Sequence, residues 1–182
     1  MDKSNDYYIN ENLKHWNDRV AYHEKSDFYD VEGFKKGQTS LQSIEIEALG
    51  DMVKGKSLLH LQCHFGQDSL SWARMGAQVT GMDFSTEGIN LARQLNDELG
   101  LDARFVCCNI YDLKAHLEGQ FDIVFTSYGT IGWLPDLKAW ASIVSHYLKP
   151  GGTFYMAEFH PTYYMVDFDS LQLTYPYFNT GV

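Results

Sequence analysis

The chain has 182 residues, which suits one domain with a sizeable core and a modest extension. A hydrophobic fraction of 45% and an aromatic fraction of 15% are typical of a packed globular protein and exclude a disordered chain. The formal net charge of −10 opposes a general attraction to nucleic-acid phosphates, so we expect no nucleic-acid partner.

No apolar run approaches the roughly 20 residues that span a bilayer. The polar start Met1–Asp6 lacks the apolar core of a signal peptide, so we expect a cytoplasmic protein that does not bind membranes. Cys63, Cys107 and Cys108 lack the spacing of a metal site and suit buried thiols in a reducing compartment. We therefore predict no metal.

Residues 1–53 are predicted to form an N-terminal helical extension. A helix over Asn12–Glu24 is indicated by apolar and aromatic residues at helical spacing, and a second helix by the same spacing over Leu41–Met52. Between them lies an aromatic-rich segment, Phe28–Phe34, which breaks at Lys35–Gly37. We expect Tyr29 and Phe34 to belong to a lid over the functional site.

Strands and helices alternate over residues 54–182, which predicts a parallel sheet with right-handed crossovers. The predicted strands are Ser57–Gln62, Ala77–Met82, Ala103–Cys107, Phe121–Thr126 and Thr153–Phe159. Predicted helices cover Gln67–Met75, the segment after Asp83 up to Gly100, and the segment from Asp136 to Leu148. Lys149–Gly152 is predicted to be a turn. The expected fold is a three-layer, Rossmann-like, doubly wound α/β domain.

Ligands of such sheets bind beyond the carboxyl ends of the strands, where the strand order reverses. The residues that follow the predicted strands should therefore converge on one crevice. These residues are Gln62 to Gly66, Asp83 and Phe84, Asn109 and Ile110, Ser127 and Tyr128, and His160.

The segment Ser57–Asp83 carries the most specific signal. It predicts strand, tight turn, helix, second strand and then Asp83, whose position about twenty residues after the turn suits a contact with the ribose of a nucleotide. A dinucleotide motif would have glycines at Gln62 and His64, but this chain keeps only Gly66. Side chains at those positions disfavour a pyrophosphate and favour a ligand without phosphates, such as S-adenosylmethionine.

With these motifs in view, the chain resembles the class I S-adenosylmethionine-dependent methyltransferases over about residues 54–161. His60–Gly66 occupies the position of the glycine-rich first motif, and Gly81–Ser85 that of the ribose motif. Phe121–Phe125 resembles the fourth strand, and Leu148–Gly152 the turn before the fifth. The first-motif sequence Leu-His-Leu-Gln-Cys-His-Phe-Gly is similar to that of a bacterial subgroup of the family.

The resemblance implies S-adenosylmethionine as cofactor and a small molecule as methyl acceptor. The cofactor-binding residues it implies are Gln62, Cys63, His64, Gly66, Asp83, Phe84, Asn109, Ile110 and Ser127. Tyr128, Trp133 and His160 are candidates for the acceptor pocket, with His160 and Tyr128 as the catalytic candidates.

Only 23 residues follow Phe159, and the family's sheet normally ends with a further helix and an antiparallel strand pair. We therefore expect this pair to be missing, with at most one short strand over Gln172–Tyr177, as in a C-terminally truncated chain. A partner, such as a second copy in a homodimer, could instead cover the exposed sheet edge. Two alternatives to a methyltransferase stay open: a sensor that binds S-adenosylmethionine or its demethylated product without turnover, and a nucleotide-dependent oxidoreductase.

Overall fold

The computed structural model describes residues 5–178. Its centre is a sheet of five parallel strands: β1 (Ser57–Leu61), β2 (Gln78–Asp83), β3 (Arg104–Cys107), β4 (Phe121–Ser127) and β5 (Leu148–Ala157). The strand order is β3-β2-β1-β4-β5, so the order reverses between β1 and β4. This confirms the predicted doubly wound sheet and sets its crevice beyond the ends of these two strands.

Helices cover both faces of the sheet. Three helices come from the N-terminal part, namely α1 (Asn5–His23), α2 (Val31–Lys35) and α3 (Ser43–Leu49), and three from the alternating part, namely α4 (Gln67–Arg74), α5 (Thr86–Glu98) and α6 (Leu137–Tyr147). Leu59 and Leu61 on β1 pack with Trp140 of α6 on one face. Leu58 packs with Trp72 of α4 on the other. The alternation of β1 side chains thus produces the three layers.

The N-terminal extension packs on this core. Val20, Val31 and Phe34 are buried in the same apolar cluster as Leu70 of α4 and Ile89 of α5. α1 begins at Asn5, seven residues before the predicted start, and α3 is shorter than predicted. The α2 helix was not predicted. It begins where the Asp30 side chain accepts a hydrogen bond from the Gly33 amide.

The start of β5 corrects the prediction of a turn over Lys149–Gly152. Leu148 already pairs with Phe121, and pairing resumes between Ile123 and Thr153. The four residues in between form an irregularity within the strand, with Gly151 at a φ of 76°. β5 also ends at Ala157, two residues before the predicted end.

An antiparallel strand pair is present near the C-terminus, contrary to our expectation that it is missing. β6 (Val166–Asp167) pairs with β7 (Gln172–Leu173), and these strands form a sheet separate from the five-stranded one. The strand predicted over Gln172–Tyr177 is therefore shorter than expected and has a partner. Within residues 5–178, no helix combines the length and the apolar character that crossing a membrane requires.

Candidate functional site

A cavity of about 700 Å³ lies at the carboxyl ends of the strands. Pockets for small molecules and cofactors typically measure about 300–1,000 Å³. All but one of the residues predicted for the site line this cavity: Gln62, Cys63, His64, Gly66, Asp83, Phe84, Asn109, Ile110, Ser127, Tyr128, Tyr29, Phe34 and Trp133. The exception is His160.

The turn after β1 has the backbone of a glycine-rich turn, although two of its key positions carry side chains. Gln62 and His64 adopt φ angles of 57° and 51°, and Gly66 adopts 79°. This left-handed region normally favours glycine. At Gly66 a side chain would also collide with its neighbours, because an added Cβ would lie 2.8 Å from the Phe105 ring and 3.0 Å from the Ala92 Cβ. Gly66 thus serves close packing of the turn against β3 and α5.

The side chains of Gln62 and His64 form hydrogen bonds with different parts of the fold. The Gln62 amide oxygen accepts a hydrogen bond from the Trp140 indole at 3.1 Å. The His64 Nε2 lies 2.9 Å from Nδ1 of His23 on α1. Burial, followed by the neighbouring His23, lowers the pKa of His64 to about 3, so the ring is neutral at physiological pH. The turn is therefore tied both to α6 and to the N-terminal extension.

Asp83 lies at the end of β2 with only 7% of its surface exposed. Its Oδ2 accepts from the His64 amide and its Oδ1 from the Ser85 amide, both at 2.9 Å. Burial raises the pKa of this carboxyl to about 6, and the amide bonds oppose that rise. The group is therefore mostly ionised at neutral pH. Because each carboxylate oxygen has two lone pairs, it can still accept further hydrogen bonds.

Phe84, Asn109 and Ile110 form the wall beside Asp83. Ile110 is buried with 5% exposure, whereas Phe84 is half-buried. The Asn109 side-chain oxygen accepts from the Tyr111 amide at 3.1 Å and begins a short 3₁₀ turn over Ile110–Ala115. An aromatic and an aliphatic side chain thus border this end of the cavity, next to an amide group.

Tyr128 follows β4 on the other side of the cavity and adopts a left-handed φ of 49°. The loop after it is held by Glu158, whose carboxylate accepts from the amides of Gly129, Thr130 and Ile131 at 2.6, 2.8 and 3.1 Å. Burial, and then the negative charge of Glu45, raise the pKa of Tyr128 to about 12. Its hydroxyl is protonated at neutral pH and acts as a hydrogen-bonding group rather than as a base.

The prediction that His160 belongs to the site is not supported by its position. His160 is exposed, and its Nδ1 lies 2.9 Å from the Thr162 hydroxyl at the start of a 3₁₀ turn over Pro161–Met165. The physical reason is the early end of β5. Because the strand ends at Ala157, Glu158 and Phe159 lie between its last residue and His160. Phe159 lines the cavity in its place.

Several lining residues were missed by the sequence reasoning. Asp68 in the first turn of α4 has its Oδ2 3.1 Å from the Ser127 hydroxyl, which donates to it. His60, which is part of the predicted strand Ser57–Gln62, also borders the cavity. The sequence did contain a signal for Asp68. A helix that begins immediately after the motif turn must have its first turn at the same crevice as the motif turn itself.

Aromatic side chains of the N-terminal extension cover the cavity. Trp16, Tyr29 and Phe34 line it together with Trp133. The backbone oxygen of Tyr29 accepts from the Gln67 side chain at 2.8 Å, and that of Trp133 accepts from Asn12 at 3.3 Å. The extension is thus hydrogen-bonded to both sides of the crevice.

Comparison with known proteins places these features in a family. Residues 58–152 match the family model described as "Methyltransferase domain". Over 137 residues the chain is 30% identical to a ubiquinone biosynthesis O-methyltransferase of Xanthomonas euvesicatoria pv. vesicatoria (strain 85-10). The aligned segment covers 74% of this chain and 57% of that protein. The chain therefore spans little more than half the length of this curated relative.

Solved structures share the fold. The structure of a DhpI–SAH complex aligns with a TM-score of 0.66 at 19% identity, covering 91% of this chain and 73% of that one. A structure described as "Conversion of a Disulfide Bond into a Thioacetal Group during Echinomycin Biosynthesis" is 30% identical in sequence and aligns with a TM-score of 0.54. The alignment covers 62% of this chain and 46% of that one. With more than half of its residues inside the matched region, the chain belongs to the methyltransferase domain family.

Proposed function

We propose that this protein binds S-adenosylmethionine in the cavity and transfers its methyl group to a small molecule, as a member of the bacterial class I subgroup that its first motif resembles. The observation that carries the proposal is the buried carboxylate of Asp83 at the tip of β2, held by two backbone amides at the rim of the cavity. Membership of the methyltransferase domain family and the SAH in the DhpI complex support the choice of donor.

The proposed arrangement starts from Asp83, whose ionised carboxylate accepts from both ribose hydroxyls. Charge-assisted hydrogen bonds of this kind contribute about 1.5–3 kcal/mol each. The adenine ring lies between Phe84 and Ile110, with Asn109 at its edge. The methionine part passes the turn formed by Gln62, Cys63, His64 and Gly66 and extends towards Ser127.

Tyr128, Trp133, Tyr29 and Phe34 form the acceptor pocket in this proposal. Their aromatic faces stabilise the donor's sulfonium by about 0.5–2 kcal/mol. Methyl transfer is an in-line displacement in which the acceptor's lone pair forms the new bond to carbon as the carbon–sulfur bond breaks. Positioning of the two reactants can supply about 7–11 kcal/mol in favourable cases. Tyr128, as a protonated phenol, orients the acceptor, and the exposed position of His160 gives no support to its predicted role as a base.

Residues 1–53 act as a lid and residues 54–182 as the donor-binding core in this proposal. Cytoplasmic location and homodimer formation remain predictions. Exposed Phe154 and Met156 on β5 support the second copy as a partner at that sheet edge, which sedimentation at several protein concentrations would test.

The experiment that tests the function is titration calorimetry with S-adenosylmethionine, S-adenosylhomocysteine and NADH, followed by transfer assays with a methyl-labelled donor. The acceptor panel contains phenols, alcohols, thiols and amines. Phenols are included because the curated relative is named an O-methyltransferase. The proposal would be supported if the wild-type protein binds the donor and transfers the label, and if the Asp83→Ala variant does neither.

Other outcomes separate the alternatives. Donor binding without transfer to any acceptor would favour a sensor. Tight binding of NADH without binding of the methyl donor would contradict the proposal in favour of an oxidoreductase. The side chains at Gln62 and His64, which occupy positions where a pyrophosphate needs glycine, lead us to expect weak or absent NADH binding.

A further inference from the structure

A fully buried acid, Glu45, lies in α3 of the N-terminal extension. Its side chain is buried completely, and it belongs to none of the ion pairs formed within residues 5–178. Its Oε2 accepts from the Gln42 amide at 2.7 Å, as the acid of a capping box at the start of the helix. Its Oε1 is equally buried but has no close hydrogen-bond partner among the described residues. Because buried polar atoms are nearly always hydrogen-bonded, this oxygen indicates a role beyond capping.

Tyr128 connects this carboxylate with the cavity. Its side chain lines the cavity, and its hydroxyl and the Glu45 carboxylate affect each other's pKa through charge and hydrogen bonding. Glu158 holds the loop after Tyr128 by accepting from three consecutive backbone amides, which fixes the place of the phenol. Hydrogen bonds between catalytic groups are often long without substrate and shorten when it binds. The unpaired Oε1 of Glu45 is therefore available to accept from the Tyr128 hydroxyl.

The surroundings of Glu45 suit a group that takes up a proton. Burial raises its pKa to about 7, and the negative charge of Asp68 adds to the rise. Hydrogen bonding with the Gln42 amide and the Tyr128 hydroxyl opposes it. Tyr155 on β5 also faces Glu45, since burial and then the charge of Glu45 raise the pKa of that phenol. A base is most effective when its pKa lies near the working pH, and Glu45 meets this condition at neutral pH.

We propose that Glu45 receives, through Tyr128, the proton that a hydroxyl acceptor loses when it is methylated. The inference rests on the proposed function and narrows its acceptors to phenols and alcohols. As the acceptor oxygen forms its bond to the methyl carbon, the carbon–sulfur bond breaks and its electron pair stays on sulfur. The acceptor's proton moves to the Tyr128 oxygen, and the Tyr128 proton moves to Oε1 of Glu45. Tyr128 thus contacts the acceptor and ends the step as a neutral phenol, whereas Glu45 is a positioning residue that acts through it.

Carbon-13 NMR of protein labelled at the glutamate side-chain carboxyl tests the pair without any acceptor. The Glu45 signal is the one missing from Glu45→Gln, a variant that keeps an oxygen for the Gln42 amide. In the wild-type protein this signal should titrate near pH 7. In Tyr128→Phe it should titrate at a higher pH, because a hydrogen bond from the phenol stabilises the ionised carboxylate. An unchanged titration of Glu45 in a folded Tyr128→Phe variant would overturn the proposal.

Transfer to phenol and to thiophenol, with saturating S-adenosylmethionine, tests the proton transfer itself. For phenol, kcat/KM of the wild-type protein should rise about tenfold per pH unit below pH 7 and level off above it, since only ionised Glu45 takes up the proton. Glu45→Gln should methylate phenol at least about 100-fold more slowly, without this rise. Thiophenol is more acidic and reaches the site largely as the thiolate, so its rate should fall by less than about threefold. Glu47→Gln, at an exposed position of the same helix, is the matched control and should behave as the wild-type protein.

The outcomes separate this proton transfer from the proposed function. A Glu45→Gln variant with the wild-type rate and pH dependence for phenol would overturn the proton transfer and leave the methyltransferase proposal intact. An equal loss with phenol and thiophenol would show that Glu45 is only structural. Methylation of thiols or amines without methylation of any hydroxyl compound in the panel would also overturn the role of Glu45. Failure of the wild-type protein to bind the donor or to methylate any compound would contradict the proposed function, and the proton transfer with it.

Discussion

The backbone amide of His64 donates to Oδ2 of Asp83 over 2.9 Å and thereby joins the turn after β1 to the tip of β2. The other oxygen of the same carboxylate accepts from the Ser85 amide, at the start of α5. One buried group thus fixes three elements around the cavity. The carboxylate proposed to bind the ribose is also a structural group, so a test of Asp83 must separate its two roles.

The pH dependence of donor binding provides that separation. Burial raises the pKa of Asp83 to about 6, and the proposed ribose contact needs the ionised form. Affinity for S-adenosylhomocysteine should therefore fall as the pH drops through 6, approaching tenfold per pH unit below it. Calorimetry at pH 7.5, 6.5 and 5.5 measures this decline. Asp83→Asn should bind weakly with a flat profile, whereas a flat profile in the wild-type protein would contradict the assignment.

The raised pKa of Asp83 has opposite effects on binding and on stability. As the pH rises, donor binding should become tighter, whereas the contribution of Asp83 to the free energy of unfolding should fall. An Asp titrates near 3.9 in the unfolded chain, so between about pH 4 and 6 the folded state binds more protons at Asp83 than the unfolded state does. The contribution of Asp83 to the free energy of unfolding therefore falls as the pH rises through this window. Denaturant unfolding of the wild-type protein and of Asp83→Asn over pH 4–7 would show whether the decline depends on this residue.

The sequence was sufficient to predict the sheet and the crevice at the carboxyl ends of its strands, with Asp83 beside it, because alternating apolar strands and amphipathic helices depend on local spacing. It was also sufficient to locate the turn at Gln62 and His64. The left-handed backbone of that turn, despite two side chains, could not be predicted, since its cost is offset by tertiary contacts with Trp140 and His23.

Other features depend on pairing between distant residues. The irregularity in β5 at Lys149–Gly152 arises from its register with β4, whereas the local sequence has the composition of a turn. The position of His160 follows from where that strand ends. Asp68 was missed because its importance depends on the Ser127 hydroxyl 59 positions away.

Replacement of His64 by glycine should loosen the proposed lid without disrupting the core. Glycine relieves the positive φ, which costs a side chain about 1–2 kcal/mol, but it removes the bond to His23 on α1. We expect amide hydrogen exchange in α1 to become at least about tenfold faster while the central strands keep their protection. Gln62→Gly is the matched control, because it relieves the same strain and releases α6 instead. Equal exchange of α1 amides in the two variants would argue against His64 as the anchor of the lid.

Glu158→Ala should destabilise the loop after β4. The carboxylate accepts from four backbone amides, those of Gly129, Thr130, Ile131 and Phe159. Their loss should lower the free energy of unfolding by about 1–3 kcal/mol. Urea unfolding measures this change. Glu118→Ala, at an exposed position, should change the free energy by less than about 0.5 kcal/mol. A similar small effect at Glu158 would show that the four bonds do not stabilise the loop.

His160→Ala should leave donor binding unchanged. Its side chain is exposed, bonds only locally to Thr162 and does not border the cavity. Calorimetry should give the wild-type affinity for S-adenosylhomocysteine within about twofold, as for surface substitutions away from a site. A tenfold loss would return His160 to the binding site and would require the chain after β5 to move.

The most direct test of the account is a crystal structure of the protein with S-adenosylhomocysteine. We expect both ribose hydroxyls within about 2.5–3.0 Å of the Asp83 carboxylate, which is the usual range for O–H···O bonds, and the adenine ring between Phe84 and Ile110. A nucleoside bound elsewhere, or bound in the cavity with its ribose out of reach of Asp83, would contradict it.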